Sequence, residues 1–216
     1  MDQKRILSLL HNSIHTNLTD TALFFSLSET DWFKLMKIAK QQSVLGLCLD
    51  GFDSLKVNEA LPPRNILIKW IGNVMTLENV YEKQKISIKD LSSFFSKHSL
   101  RMVLMKGYGI SKYYPVAKHR GCGDLDIYFC GKGKYADELI KDKGIEVKQN
   151  EEKHSVYNFN GIHIENHASI ICEQEHFSLL KVEEYLKKDL NTNSHLDEET
   201  GCWLPSTMFN VVFLPL

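Results

Sequence analysis

Residues 101–129 read RMVLMKGYGISKYYPVAKHRGCGDLDIYF. The apolar run Met102 to Met105 is broken by Lys106 and Gly107. Tyr108 to Tyr114 has room for two helical turns, and Pro115 ends them. After a polar loop, Gly121-Cys122-Gly123 leads into Asp124-Leu125-Asp126-Ile127-Tyr128-Phe129. That piece alternates acid and apolar residues and then turns fully apolar, which predicts a strand with one polar edge. Residues at i and i+2 of a strand share a face. Asp124 and Asp126 are therefore expected side by side, where like charges repel unless a cation lies between them. A solvated pair of unrelated acids is the plainer reading of a bare D-x-D. Here the Gly-rich turn before it and the apolar strand after it fix the pair's place in the fold. Magnesium, which takes hard oxygen ligands from one or two carboxylates plus phosphate, fits such a pair.

A third acid lies downstream. In Gly161-Ile162-His163-Ile164-Glu165-Asn166-His167, the alternation predicts a strand with His163, Glu165 and His167 on one face. Asn160-Gly161 is a hairpin signal, because both residues accept positive φ. Strands are predicted over 145–149, 154–159 and 161–168, so that the hairpin places Glu165 beside the strand that carries Asp124 and Asp126. A helix over 135–143 ends at Gly144, with Asp137 on its outer face. A second helix runs over 176–190, a polar loop over 191–200 and a short strand over 202–204.

Upstream, Ile6, Leu9, Leu10 and Ile14 have helical spacing. Ser28 or Thr30 caps a helix to about Gln42 that presents Trp32, Leu35, Met36 and Ala39. Val44 to Leu49 predicts another helix ending near Gly51. Beyond Pro62-Pro63, residues Leu67, Trp70, Val74, Leu77, Tyr81, Gln84, Ile88, Leu91 and Phe95 recur at alternating steps of three and four: one long helix with a heptad-like seam. Such a seam serves a dimeric coiled coil or packs on helices of the same chain. Ile66, Ile71 and Met75 widen the stripe and favour the second.

The 216 residues carry a net charge of −1 and a pI near 6.8, which is no basic footprint for nucleic acid. No apolar run approaches the ~20 residues of a membrane span. Met1 to Arg5 leads into an amphipathic pattern rather than a signal peptide. The five cysteines have no C-x-x-C spacing, as expected of a reduced, cytoplasmic chain. No nucleophile elbow, Cys–His signature, P-loop or dinucleotide-binding glycine motif occurs. The nine histidines lack a zinc spacing, and His154 reads as an exposed strand residue.

Taken together, Leu104-Met105-Lys106-Gly107, Tyr113-Tyr114-Pro115, Arg120 and Gly123-Asp124-Leu125-Asp126 resemble a bacterial branch of the nucleotidyltransferase superfamily that includes DNA polymerase beta. The resemblance covers roughly Met102 to His167. It implies a minimal nucleotidyltransferase module with a small mixed sheet flanked by helices over 99–204, and from 205 the start of a C-terminal helical segment. With the helical region that spacing predicts over 1–98, the expected fold is α+β. Because relatives continue into a further helical region from 205, the apolar tail with Phe209, Val212 and Phe213 is expected to lack its partner within the chain and to pack on a neighbouring molecule or be poorly ordered.

The resemblance also implies chemistry. Asp124, Asp126 and Glu165 are the expected catalytic and metal-binding acids, holding two magnesium ions. NTP is the expected substrate, and the acceptor is an unidentified hydroxyl or amine, of a small molecule or protein rather than nucleic acid. Lys106 and Gly107 stand where active relatives have the Gly-Ser turn that holds triphosphate. Arg120 is a further expected phosphate contact, and His167 matches a histidine two residues beyond the third acid. Tyr113, Tyr114 and Tyr128 read as base-stacking or packing residues. The rival reading is a non-catalytic, antitoxin-like module of the same fold that binds nucleotide or a protein partner. Without metal, three clustered acids repel, so Asp126→Asn is expected to leave the melting temperature unchanged or slightly raised, with Asp137 as an outer-face control.

Overall fold

A computed structural model describes residues 1–15, 21–56, 60–150, 154–171 and 177–214. The chain forms two compact units, one of residues 1–82 with 111–121 and one of 83–110 with 122–216. The division falls inside a helix, not at residue 98.

The first unit contains α1 (Asp2–Ile14), α2 (Glu29–Gln41), α3 (Leu45–Asp50), α4 (Asp53–Lys56) and the first half of α5 (Arg64–Lys97). Ser28 starts α2 with a reciprocal capping box. Its hydroxyl accepts from the Asp31 amide, and the Asp31 carboxylate accepts from the Ser28 amide. The core is aromatic: Phe52 meets Trp32 edge-on at 5.7 Å and Trp70 at 4.8 Å. The buried Trp70 indole donates to the Leu45 carbonyl at 3.0 Å, so its one polar atom is satisfied.

A second anchor in this unit is His119, which closes a short 3₁₀ turn over Ala117–His119. Its Nδ1 lies 2.7 Å from Asp50 and its Nε2 3.0 Å from Glu78. A neutral imidazole donates from one nitrogen only, so two carboxylate partners call for the cation. The bond to Asp50 raises the His119 pKa, burial opposes it, and the net shift is upward. Gly46 leaves room for this loop: a Cβ there would come within 2.5 Å of the His119 carbonyl oxygen.

In the second unit the described strands form one seven-stranded mixed sheet, ordered β3-β4-β5-β2-β1-β7-β6. They are β1 (Val103–Leu104), β2 (Leu125–Tyr128), β3 (Lys148–Asn150), β4 (His154–Phe159), β5 (Ile162–His167), β6 (His195–Leu196) and β7 (Trp203–Leu204). The helices are α6 (Tyr108–Ser111), α7 (Gly133–Asp142), α8 (Phe177–Asn193) and α9 (Thr207–Phe213), with the second half of α5. β2 and β5 run parallel, while β4 pairs antiparallel with β5 through Asn160 (φ 53°) and Gly161 (φ 79°). Phe95 of α5 packs edge-on against Phe129 at 4.6 Å. An α+β fold with N-terminal helices and a mixed sheet is therefore present. Among the described residues, no helix is long and apolar enough to cross a membrane.

Several expectations change. The α5 seam does bury Trp70, Val74, Tyr81, Gln84, Ile88, Leu91 and Phe95 within the chain, but Ile71 and Met75 are exposed, so the apolar stripe is narrower than its composition implies. The helix after Gly107 makes only one turn, to Ser111. α8 runs on to Asn193 where a loop was expected, and its presumed start at His176 lies outside the described residues. The C-terminal segment finds a partner in the chain. Ser206 caps α9 by accepting from the Phe209 amide and donates to Asp189 at 2.6 Å. Phe209 is fully buried with Leu186 and Leu190, and Val212 and Phe213 pack partly buried beside it.

Candidate active site

The parallel pairing of β2 with β5 sets Asp126 opposite Glu165 and Tyr128 opposite His167. Paired residues share a sheet face, so Asp126, Glu165 and His167 stand together. Continuing outward, β4 sets His154 opposite His167, and their rings lie 5.4 Å apart. On the other side, the Met105 amide donates to the Asp126 carbonyl at 3.0 Å, which delivers Lys106 to the same place. Gly107 then turns the chain with φ +61°, and a Cβ there would sit 3.4 Å from the Asp124 carbonyl oxygen. Gln84, a polar residue in the buried seam of α5, has its role here: its amide donates to the Gly123 carbonyl at 3.0 Å and holds the entry to β2.

One oxygen of Asp126, Oδ1, accepts from Lys106 Nζ at 2.7 Å and from His167 Nε2 at 3.0 Å. His167 Nε2 also lies 3.6 Å from Glu165, and His163 Nε2 3.9 Å from the other Glu165 oxygen. Burial pushes the Asp126 carboxyl up, but the His167 and Lys106 hydrogen bonds and charges outweigh it and hold the pKa below its ordinary value. Asp126 is thus a buried, charged acid with two donors on one oxygen, not a repelled one.

Ligand atoms of Asp126, Glu165 and His167 all lie within 4.8 Å of one another. Asp124 is half-buried at the bend just before β2 and is not one of those three. The regular strand starts one residue later than the D-x-D pattern reads. Arg120 lies in the first unit, its guanidinium 5.9 Å from the Tyr114 ring. Tyr128 is a core residue and Tyr113 is exposed.

The sequence reading missed two neighbours. His154 is half-buried beside His167, where an exposed residue was expected. Counting strand pairs outward from Asn160-Gly161 would have found it. Asp137 is buried, not on an outer face. Register puts Ser155 and Asn166 on the sheet face opposite Glu165, and Asp137 Oδ1 accepts from both at 2.7 Å. These residues line part of a polar cleft of about 810 Å³ at the start of α7.

No curated protein and no solved structure matches the chain. The model of one family, described as "Uncharacterised nucleotidyltransferase", matches residues 28–214, which span both the aromatic helical core and the strands that bring Asp126 to Glu165, and the chain belongs to that family.

Proposed function

We propose that the chain transfers a nucleoside monophosphate from an NTP to an acceptor hydroxyl or amine, releasing pyrophosphate, at the Asp126–Glu165–His167 cluster. The observation that carries this reading is the parallel register of Asp126 with Glu165, two acids from separate strands set on one face. The donor set fits a divalent ion. Two carboxylates and an imidazole nitrogen lie within 4.8 Å, and the more buried acid is held charged. Asp126 and Glu165 would hold magnesium, with Asp124 contributing from the bend and two ions as the full complement. When bound, magnesium neutralises triphosphate charge and lowers the pKa of the acceptor.

The rest falls to the chain's own groups. The acceptor oxygen or nitrogen bonds to the α-phosphorus, the bond to the α–β bridging oxygen breaks, and the acceptor's proton passes to Glu165. Lys106 offsets phosphate charge, and the Gly107 turn brings backbone close to the phosphates. His167 donates to Asp126 and borders Glu165, which keeps both carboxylates in place. A small molecule or protein is the proposed acceptor, since the net charge of −1 gives no nucleic-acid footprint.

The test is incubation with α-labelled NTPs, magnesium and candidate acceptors. Label transfer with pyrophosphate release, lost in Glu165→Gln, is expected. Saturable NTP binding with no pyrophosphate from any acceptor would instead favour a non-catalytic module of the same fold.

A further inference from the structure

Lys106 already stands where a metal ion would act. Its ammonium is 2.7 Å from Asp126 Oδ1, and the Asp126 side chain is 3% exposed, fixed within β2. A divalent ion on either oxygen of that carboxylate lies within a few ångströms of the ammonium, where two positive charges repel strongly in a half-buried site. Asp126 cannot yield. Lys106 can: its side chain is 40% exposed, sits on a flexible four-carbon stem and precedes the Gly107 turn. A displaced ammonium is stabilised by another anion, and the phosphates of a nucleotide on the same ion are the nearest that the reaction brings.

We propose that Lys106 is a mobile counter-cation, holding Asp126 in the ion-free chain and passing to the nucleotide phosphates when the ion takes Asp126. This rests on the reading of Asp126 and Glu165 as the ion site. Ion alone must then displace Lys106 without compensation, whereas ion and nucleotide together give it a new partner. The two ligands load with positive coupling, which is reciprocal by thermodynamic necessity. The ion binds more weakly before substrate arrives than with it, and Asp126 is never left buried and unpaired.

The discriminating variant is Lys106→Met, of similar length and without charge, with Lys106→Arg as the charge-retaining control. Manganese binding alone, followed by the resonance signal of the free ion, should be about tenfold or more tighter in Lys106→Met. Binding of the manganese complex of a non-hydrolysable NTP, followed by calorimetry, should be weaker in the same variant by a similar factor. Lys106→Arg should track the unmodified protein in both. Opposite signs identify one cation shared between two partners. A lysine of structural importance only would weaken both, and a phosphate-only lysine would leave manganese binding unchanged; either result overturns the proposal while the ion site stands. If neither the unmodified protein nor any variant binds manganese, with or without nucleotide, the ion site itself fails. Should Lys106→Met not fold, pulsed amine labelling of the unmodified protein decides. Labelling at Lys106 should rise with manganese alone and fall when nucleotide is added, and no change with manganese would refute the displacement.

Discussion

At the scale of single residues, Asp126 shows how partners reverse a charge argument. Clustered acids alone would make Asp126→Asn neutral or stabilising, but the carboxylate accepts from both Lys106 and His167. Removing its charge leaves the Lys106 ammonium short of an anion and the His167 ring with a weaker acceptor inside the sheet. Asp126→Asn should therefore destabilise the metal-free protein by about 1–3 kcal/mol, and should abolish the stabilisation given by magnesium with NTP. Thermal melts with and without ligands check both. The suitable control is the exposed Asp142, not Asp137, and Asp142→Asn should leave both unchanged. His119 gives a pH test. Its folded pKa is raised above the ordinary value near 6.5. Its contribution is then complete below the unfolded pKa and is lost as pH rises through the folded pKa. The melting-temperature gap between the unmodified protein and His119→Asn should be widest near pH 5.5 and shrink steadily on the alkaline side. A gap that does not change with pH would mean that His119 acts neutral, by shape alone.

At the scale of elements, one side chain of α7 reaches two strands of the sheet. Asp137 takes donors from Ser155 on β4 and Asn166 on β5, both at 2.7 Å. Asp137→Ala leaves the buried Ser155 hydroxyl and Asn166 amide short of an acceptor, and should cost roughly 2–4 kcal/mol in denaturant unfolding. A cost near zero would show that water replaces the carboxylate. Local periodicity carried much at this scale. β4 was read residue for residue, because alternation and the Asn160-Gly161 turn agree. The start of α2 was legible as a choice between Ser28 and Thr30, and the Asp31 carboxylate that answers Ser28 decides it. Asp137 was not legible: the 3.6-residue period of α7 gives a face, while the acceptors' partners come from strands that the helix pattern does not mention. Likewise the D-x-D pattern gave Asp126 its place, but the bend at Asp124 depends on where pairing with β5 begins.

At the scale of the whole molecule, the long α5 belongs to both compact units, changing from one to the other after Glu82. A sequence reading that cuts at the end of a helix misses this, since nothing in a heptad seam marks which core its successive turns enter. The second unit needs Ile88, Leu91 and Phe95, all nearly fully buried. A fragment of residues 99–216 should accordingly unfold without cooperativity and bind hydrophobic dyes, whereas one of residues 83–216 should show a cooperative transition. Calorimetry of the two fragments checks this, and equal cooperativity would place those side chains outside the core that matters.

The pairing of β2 with β5 has a kinetic side as well. His167 and Asp126 are 41 residues apart in sequence. In sequence, α7, β3 and β4 lie between the two acid-bearing strands, and such distant contacts are expected to close late because their entropy cost precedes their reward. If the proposed ion site is right, ion binding times the last stage of assembly: in stopped-flow refolding the helical signal should return before manganese binding does, and simultaneous recovery would refute this order.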